Sequence, residues 1–348
     1  MPDPLRVWVH SMFESEALVD APELDVRFLS EAEYEDLTPS DLQGIDGYVG
    51  YEPELPAEAF EAVGADLKYV MRPSAGFDNL ALQAATERGI VVSHAPQGPR
   101  DSVVEGVIGM MVSCARGLHA HNKRIREQGF EGRDGPPAFE VANSTVGIVG
   151  LGHIGRKLAD SLSVFGPELL VFDPYADEET AAELGVELVP LEQLLAASDF
   201  VTIHTPLTDE THHMLGEAEF RAMKESAFVI NAARGGIYPD EELARAVRNG
   251  SIAGAAVDVF EDEPDVADNP LLKLPQEDAL LSPHILGNTA VDAQKRVREL
   301  VTETVLKWAR DEYPPNVLNP EVYKTSVPED RISKAYRERS TPDDRQSS

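Results

Sequence analysis

The sequence predicts an α/β protein made of two doubly wound parallel-sheet domains. Short apolar runs of strand length alternate with helical patterns along most of the chain, as is typical of parallel sheets with right-handed crossovers. Helix breakers at Ala95–Pro99 and a Gly/Pro-rich stretch at Gln128–Pro137 interrupt this alternation. A chain of 348 residues, 42% of them hydrophobic, is long enough to form two cores.

Five apolar runs near the N-terminus predict the strands of the first sheet. They are Leu5–His10, Val26–Leu29, Gly47–Gly50, Leu67–Met71 and Ile90–Ser93. Helical patterns at Pro56–Val63 and Asn79–Arg88 lie between them. Ser102 and Glu105 have the spacing of a capping box and predict a long helix over Val103–Arg116, so the first connection between domains is expected near residue 100.

Six further runs predict the strands of a second sheet. They are Val146–Val149, Leu169–Phe172, Phe200–His204, Ala227–Asn231, Ala253–Val257 and Ala279–Ser282. The helices predicted between them are Glu178–Leu184, Leu191–Ala197, Glu217–Met223 and Asp240–Asn249. A helix from about Thr289 to Asp311 is expected to return the chain to the first domain. The expected domains are therefore residues 1–100 with 289–323, and residues 101–288, followed by a polar, disordered tail over 324–348.

A glycine-rich turn follows the first strand of the second domain. Gly150, Gly152 and Gly155 fit G-x-G-x-x-G, in which the glycines allow a tight turn, close approach of a pyrophosphate and close packing of helix on strand. Phosphates then bind at the helix N-terminus. Asp173 ends the next strand, 21 residues after Gly152 (173 − 152), at the spacing of an acid that binds the adenosine ribose. Its charge repels a 2′-phosphate, so the pattern favours NAD over NADP.

The charge balance excludes several classes of partner. Acidic residues number 62 against 30 basic ones, and the formal net charge is −32. Such a surface argues against nucleic acids and anionic membranes as partners. The acids are spread along the chain and lysine is scarce, a pattern that favours adaptation to high salt over the alternative of a merely acidic mesophilic protein. The single cysteine, Cys114, excludes an intrachain disulfide, and the absence of a signal peptide or long apolar run predicts a cytoplasmic protein.

Polar segments follow four predicted strands of the second domain, at the sheet edge where ligands bind. They are residues 204–208, 231–236, 257–264 and 282–287. Together with the glycine turn, the Ser74–Asn79 loop and the closing Asn316–Glu321, they resemble the D-isomer-specific 2-hydroxyacid dehydrogenase family, here a halophilic, haloarchaeal type of member. The resemblance covers nearly the whole chain. It implies a flavodoxin-like substrate domain, a Rossmann nucleotide-binding domain and hydride transfer between NAD(H) and a D-2-hydroxy acid or 2-keto acid.

The resemblance assigns the catalytic roles to Arg234, Glu263 and His284. The planar guanidinium of Arg234 is suited to hold a carboxylate and polarise the adjacent keto oxygen. His284 is suited to donate a proton to the carbonyl and to remove it in the reverse direction. Glu263 is suited to hold the imidazole and favour its protonated form.

Further binding residues follow from the same resemblance and from the glycine pattern. The expected cofactor-binding residues are Gly150, Gly152, His153, Ile154, Gly155, Asp173, His204, Thr205, Pro206, Ala232 and Asp258. The expected substrate-binding residues are Tyr51, Arg72, Ser74, Ala75, Gly76, Arg234 and His284. Two positions depart from the common family pattern: Gly106, where many relatives have His, and Arg72. Arg72 is expected either to reach a phosphate or second carboxylate on the substrate or to form an ion pair on the acidic surface.

Several alternatives stay open at this stage. The chain could be a short-form phosphoglycerate dehydrogenase or a glyoxylate/hydroxypyruvate-type enzyme, or an NAD(H)-sensing regulatory protein that binds a peptide. Formate dehydrogenases share the fold but pair their His with Gln, and Glu263 argues against them. No metal site is expected, and Glu261 and Asp262 are interpreted as solvated acids. Surface or structural roles are expected for His94, His119, His121, His212 and His213, and a homodimer through the nucleotide-binding domain is expected from the resemblance.

Overall fold

A computed structural model describes residues 3–133, 138–287 and 291–324 of the chain. These residues form two compact units. The first comprises the described residues of Met1–Pro99 and Val291–Ser348, and the second those of Arg100–Ala290. The tail predicted over 324–348 lies, apart from Lys324, outside the described residues.

The described residues form twelve strands and twelve α-helices. The strands are β1 Leu5–His10, β2 Leu24–Leu29, β3 Gly47–Val49, β4 Tyr69–Arg72, β5 Val91–His94, β6 Thr145–Val149, β7 Glu168–Phe172, β8 Glu187–Leu188, β9 Phe200–Ile203, β10 Phe228–Asn231, β11 Gly254–Val257 and β12 Ala279–Leu281. The helices are α1 Glu16–Val19, α2 Glu31–Glu35, α3 Ala59–Ala62, α4 Leu82–Glu87, α5 Gln97–Arg116, α6 Leu118–Gln128, α7 His153–Leu162, α8 Glu178–Leu184, α9 Leu191–Ala197, α10 Glu217–Ala222, α11 Asp240–Arg248 and α12 Val291–Ala309.

The first unit contains a parallel sheet with the strand order β2-β1-β3-β4-β5. This is the flavodoxin-like order expected from the sequence. Helix α12 packs on the sheet: Val297, Val301 and Val305 join a core with strand residues, and the Trp308 ring stacks on Tyr69 with centroids 4.7 Å apart. Because helices cover such a sheet, its strands are apolar runs, which is why the sequence revealed them.

The second unit contains a seven-stranded parallel sheet in the order β12-β11-β10-β9-β6-β7-β8. The order runs one way from β6 to β8 and the other way from β6 through β9, as in a Rossmann fold. The expectation of six strands was wrong by one. The missed strand, β8, has only two residues, and neither is fully buried, so it leaves no hydrophobic pattern. The strand order reverses between β6 and β9, and the glycine turn begins at the end of β6.

Helix α5 corrects a predicted boundary. The helix begins at Gln97 rather than Val103, so Ser102 is helical and does not cap it. Pro99 lies in the first turn, where the missing N–H of proline costs nothing. Cys114 on this helix is a buried packing residue, and burial raises the pKa of its thiol to about 12. No single described helix is long and apolar enough to cross a membrane, although Gln97–Arg116 with Leu118–Glu131, bent by 56°, passes by length and composition.

Candidate active site

The glycine turn joins β6 to α7 and leaves an open approach to the helix N-terminus. Gly150 has φ +99°, and a Cβ there would lie 2.8 Å from the carbonyl carbon of His204. A Cβ at Gly155 would lie 2.1 Å from the Gly150 oxygen, so only glycine lets the helix pack here. Gly152 is the N-cap of α7, and a Cβ there would meet no atom within 4 Å. Space for a ligand therefore opens in front of Gly152, where helix N–H groups favour an anion.

Asp173 joins the end of β7 to this turn. Its Oδ2 accepts the Leu151 N–H at 2.7 Å, and its Oδ1 accepts the Tyr175 N–H at 2.8 Å. The acid that the spacing singled out thus lies beside the glycine turn, as ribose binding requires. Its carboxylate also holds the turn, a role that the spacing alone did not reveal.

Two buried polar atoms lie beside the turn at the end of β9. His204 Nε2 and Thr202 Oγ1 share a hydrogen bond of 2.8 Å, and burial lowers the pKa of His204 to about 4. His204 is therefore neutral at neutral pH. Among the described residues, His204 Nδ1 and Thr205 Oγ1 have no hydrogen-bond partner. Such atoms are rare in folded proteins without a ligand or water, so this end of the sheet fits a polar ligand.

His153 and Ile154 open helix α7. Desolvation, together with the positive charges of Arg100 and Arg156, lowers the pKa of His153. The neutral form of this histidine is therefore favoured, and its place in the first turn of the helix lets the backbone N–H contribute to anion binding.

Glu263 and His284 form a direct pair. His284 Nδ1 and Glu263 Oε2 lie 2.7 Å apart, and the other carboxylate oxygen accepts the Phe260 N–H at 2.7 Å. Burial raises the pKa of Glu263, but hydrogen bonds from His284 and the Phe260 N–H, with the charges of His284 and Arg234, outweigh it and hold that pKa below its ordinary value. Glu263 is therefore ionised. Because Nδ1 faces the carboxylate, Nε2 is left as the atom for proton exchange.

Asp258 holds the segment that carries His284. The side chain is 2% exposed, and it accepts hydrogen bonds from Ser282 Oγ (2.5 Å), the Ile285 N–H (3.0 Å) and the Leu286 N–H (3.1 Å). The His284 N–H in turn donates to the Asp258 carbonyl at 2.7 Å. Asp258 thereby fixes the left-handed backbone of His284 (φ 52°). The sequence singled out Asp258 as a cofactor ligand but did not reveal this role or that of Ser282.

Arg234 lies in the segment after β10, and Asn231 shapes that segment. The Asn231 amide donates to the Arg234 carbonyl at 2.8 Å, and its oxygen accepts the Ala233 N–H at 3.0 Å. The half-buried guanidinium of Arg234 donates to the Ala233 carbonyl at 2.6 Å, and its charge acts on Glu263. The second unit thus brings Arg234, Glu263 and His284 into one constellation. Asn231, fully buried at the strand end, was not among the predicted site residues.

In the first unit, the loop after β4 presents two backbone donors. Among the described residues, the N–H groups of Ala75 and Gly76 donate to no acceptor. Ser74 Oγ closes the loop by donating to the Gly76 carbonyl at 2.7 Å. His94 Nδ1 lies 3.0 Å from the Ala75 carbonyl, so His94 has the chemical pairing that the sequence did not show. The loop is therefore shaped to present N–H groups, as expected for a carboxylate site.

Arg72 is buried, so the expected ion pair on the acidic surface was wrong, whereas its contact with a phosphate or second carboxylate of the substrate stays a prediction. Its side chain is 1% exposed. The guanidinium donates to the Gly50 carbonyl at 2.8 Å and to the Pro53 carbonyl at 2.7 Å. The physical reason is a turn after β3 whose carbonyls face inward and need donors. Arg72 therefore supports the turn that carries Tyr51, whose hydroxyl donates to the Pro73 carbonyl at 3.2 Å.

Two further histidines have partners that the sequence did not predict. His213 Nε2 lies 2.6 Å from Glu261 Oε1, and His119 Nε2 lies 3.1 Å from the Glu277 carbonyl. Glu261 is therefore not simply a solvated acid. At Gly106, a Cβ would lie 2.7 Å from Leu286 Cδ2, so a larger residue here requires Leu286 to move. Of the remaining candidates, Ala232 is partly buried and Pro206 is exposed, both on loops that follow strands of the second sheet.

The fold and this constellation define a nucleotide-binding oxidoreductase of the Rossmann type. Residues 108–285 match the family described as D-isomer specific 2-hydroxyacid dehydrogenase, NAD binding domain. The chain is 38% identical to a glyoxylate reductase of Korarchaeum cryptofilum over 79% of its own length and 82% of that protein. It is 37% identical to a D-3-phosphoglycerate dehydrogenase of Archaeoglobus fulgidus over 74% of its length, but spans only 48% of that protein. The chain belongs to the D-isomer specific 2-hydroxyacid dehydrogenase family.

Solved structures agree with this assignment. A D-lactate dehydrogenase of Aquifex aeolicus, complexed with NAD and lactic acid, has a TM-score of 0.80 at 27% identity, covering 90% of this chain and 98% of that one. An NADPH-dependent glyoxylate/hydroxypyruvate reductase of Sinorhizobium meliloti, in complex with NADP and malonate, has a TM-score of 0.76 at 26% identity, covering 91% and 97%. The solved structures that resemble this chain thus include a complex with NAD and a complex with NADP.

Proposed function

We propose that this protein reduces a small 2-keto acid to the D-2-hydroxy acid with NADH, or catalyses the reverse reaction. The observation that carries the proposal is the Glu263–His284 pair, 2.7 Å apart, in the unit that also carries Arg234 and the glycine turn. A hydrogen-bonded acid–base pair with an adjacent guanidinium is suited to proton transfer at a carbonyl next to a carboxylate.

The residues around the glycine turn fit a dinucleotide. The open space at Gly152 would take the pyrophosphate, with N–H groups of His153 and Ile154 as donors, and Asp173 would bind the ribose. His204 Nδ1 and Thr205 Oγ1 are buried and have no hydrogen-bond partner among the described residues, so they are proposed to bond to polar groups of the cofactor. Pro206, Ala232 and Asp258 complete the proposed cofactor-binding residues. When bound, the nicotinamide supplies or accepts the hydride.

The chain's own residues supply binding and proton transfer. Arg234 holds the substrate carboxylate and polarises the keto oxygen, which raises the reactivity of the carbonyl carbon. His284 Nε2 donates a proton to that oxygen as hydride reaches the carbon, and recovers the proton in the reverse direction. Glu263, kept ionised, orients the imidazole and compensates its positive charge. The N–H groups of Ala75 and Gly76, with Ser74 closing the loop, are proposed as further carboxylate donors.

The substrate is tested with a panel of 2-keto acids. We propose a small acid of the glyoxylate or hydroxypyruvate type, because Arg72 is 1% exposed and both its terminal nitrogens already donate to backbone carbonyls, so that among the described residues only its Nε is left without a partner. For a three-carbon acid such as hydroxypyruvate, Tyr51 is proposed to border the group on the third carbon. The assay compares glyoxylate, hydroxypyruvate, pyruvate and 3-phosphohydroxypyruvate with NADH. The highest kcat/KM for the phosphorylated acid would instead favour the phosphoglycerate alternative, and tight NADH binding without turnover of any acid would favour a sensor.

High salt is the proposed working condition. The formal net charge of −32 produces self-repulsion that salt screens. The same assays, run in molar KCl and in dilute buffer, are expected to show lower activity in dilute buffer. Equal activity in both would contradict adaptation to high salt, although not the reaction.

The wild-type protein is expected to prefer NADH to NADPH, since the charge of Asp173 repels a 2′-phosphate. Asp173→Asn keeps an acceptor for the turn but removes the charge. We expect it to reduce the ratio of kcat/KM for NADH over NADPH by about 10–100-fold, corresponding to roughly 1.4–3 kcal/mol. Glu179→Gln removes an exposed charge nearby and is the matched control. A wild-type preference for NADPH, or a ratio unaffected by Asp173→Asn, would refute this role.

We also propose a homodimer that forms through the nucleotide-binding unit. Helix α6 and the segment after it expose apolar side chains: Leu118 is 52% exposed, Ile125 48% and Phe130 88%. Exposed apolar groups clustered along one segment indicate an association surface. Light scattering coupled to gel filtration is expected to give twice the chain mass of 38.0 kDa. A monomer at micromolar concentration would exclude this assembly.

A further inference from the structure

A second cluster of ligand-type side chains lies outside the proposed active site. Nitrogen atoms of His212 and His213 and a carboxylate oxygen of Glu261 lie within 4.8 Å of one another. All three side chains are exposed. The imidazole rings stack with centroids 3.8 Å apart, and His213 Nε2 lies 2.6 Å from Glu261 Oε1. The proposed reaction uses none of these groups.

The backbone holds both histidines in place. The His212 N–H donates to the Thr208 carbonyl at 2.8 Å, and the His213 N–H donates to the Gly236 carbonyl at 2.8 Å. His213 has φ 52°, a left-handed conformation that is uncommon for histidine. The ring stacking and the His213–Glu261 hydrogen bond restrain the side chains themselves, which reduces the conformational entropy lost when they bind an ion.

Glu261 is held just as firmly. Its N–H donates to Asp240 Oδ2 at 3.0 Å, and its Oε2 accepts the Asp240 N–H at 3.3 Å. Asp240 is 2% exposed and is itself fixed by the Asn269 amide at 2.6 Å. This leaves Glu261 Oε1 directed at His213. The carboxylate therefore has a supporting residue of the kind that orients metal ligands.

We propose that His212, His213 and Glu261 bind a divalent transition-metal ion of the Zn²⁺ type. Two imidazole nitrogens and one carboxylate oxygen are the ligand set that suits such ions, whereas Ca²⁺ and Mg²⁺ require mainly oxygen ligands. Rotations of the three side chains would be needed to bring their atoms, now within 4.8 Å of one another, to metal-ligand distances. The exposed position leaves the remaining coordination sites to water.

The ion would join segments that also carry the proposed catalytic residues. Gly236, which anchors His213, follows Arg234 by two residues, and Glu261 precedes Glu263 by two. A Cβ at Gly235 would lie 2.0 Å from the Phe260 carbonyl oxygen, so these two segments already touch. Binding to the folded state alone would raise the melting temperature. The site goes beyond the proposed function and does not depend on it.

Isothermal titration of EDTA-treated protein with ZnCl₂ tests the proposal. We expect one Zn²⁺ per chain and a higher melting temperature in its presence. His213→Gln and Glu261→Gln are each expected to weaken binding at least 10-fold and to abolish the increase in melting temperature. His121→Ala removes a histidine outside the cluster and is expected to bind Zn²⁺ as the wild type does. Cys114 is buried and does not compete for the ion.

A catalytic variant separates this site from the Glu263–His284 pair, which also offers a nitrogen and an oxygen. His284→Ala is expected to keep full Zn²⁺ affinity. Absence of Zn²⁺ binding in the wild type, loss of binding in His284→Ala, or unchanged binding in both cluster variants would overturn the proposal. Melting curves without metal identify a variant that fails to fold. If His213→Gln fails to fold, the Zn²⁺ affinity of Glu261→Gln, which keeps the side-chain shape, decides whether the cluster binds the ion. These measurements need no turnover, so a failure of the metal site can be distinguished from a failure of the proposed reaction.

Discussion

Replacing His284 by alanine is expected to lower kcat for 2-keto acid reduction by about 10²–10⁴-fold, the usual contribution of a general acid. The imidazole is paired with Glu263 through Nδ1, so its Nε2 is the atom available to protonate the keto oxygen. NADH affinity, followed by fluorescence titration, should be unchanged because His284 lies outside the glycine turn. His121→Ala, elsewhere in the same unit, is the control and should keep wild-type turnover.

The partner of the imidazole provides a second test of the pair. The pKa of Glu263 is held below its ordinary value, so the carboxylate is ionised. Glu263→Gln removes that charge but keeps the size of the side chain. We expect a lower kcat in this variant, because the imidazole loses the carboxylate that orients it. Near-wild-type turnover of His284→Ala or of Glu263→Gln would be incompatible with the proposed acid–base pair.

Arg234→Lys is expected to be the second most damaging change. A lysine keeps the charge but replaces the planar fork of donors by a single ammonium group. Breaking one partner of a hydrogen-bonded charge pair costs about 2–5 kcal/mol, which corresponds to a loss of roughly 30–4,000-fold in kcat/KM. Because the guanidinium is proposed to contact the substrate carboxylate, KM for the keto acid should rise together with the fall in kcat.

The surrounding structure permits a clean control for Arg234. Asn231 holds the Arg234 segment through its backbone, so the side chain can be changed without removing that hydrogen bond. Arg248→Lys, on an exposed helix face of the same unit, should leave kcat/KM unchanged. If Arg234→Lys retained wild-type kcat/KM, the carboxylate contact would be excluded and another donor would have to be sought.

The architecture was largely predictable because buried parallel strands are apolar runs that end in polar segments. Strand β8 was not predicted because its two residues, neither of them buried, form no hydrophobic pattern. The start of helix α5 was predicted too late in the chain because Pro99 was interpreted as a helix breaker. Proline is in fact tolerated in the first turn of a helix. In both cases the local sequence pattern does not indicate the secondary structure that forms in the folded protein.

Candidate site residues could be proposed from the sequence where a short motif encodes them, and not where loops bring distant residues together. The glycines and Asp173 follow from spacing within one βαβ unit. His213 and Glu261 are 48 residues apart, and their contact depends on the left-handed backbone of His213. Arg72 is a related case: its sequence neighbours do not reveal that it donates to the carbonyls of Gly50 and Pro53.

Two glycines of the turn differ in what a substitution would cost. A methyl group at Gly155 would lie 2.1 Å from a backbone oxygen, so a substitution there is expected to damage the fold. A methyl group at Gly152 meets nothing within 4 Å, so a substitution there is expected to leave the fold intact and to affect only the proposed cofactor site. Gly152 is therefore the position at which we expect that a descendant could become inactive while keeping its fold.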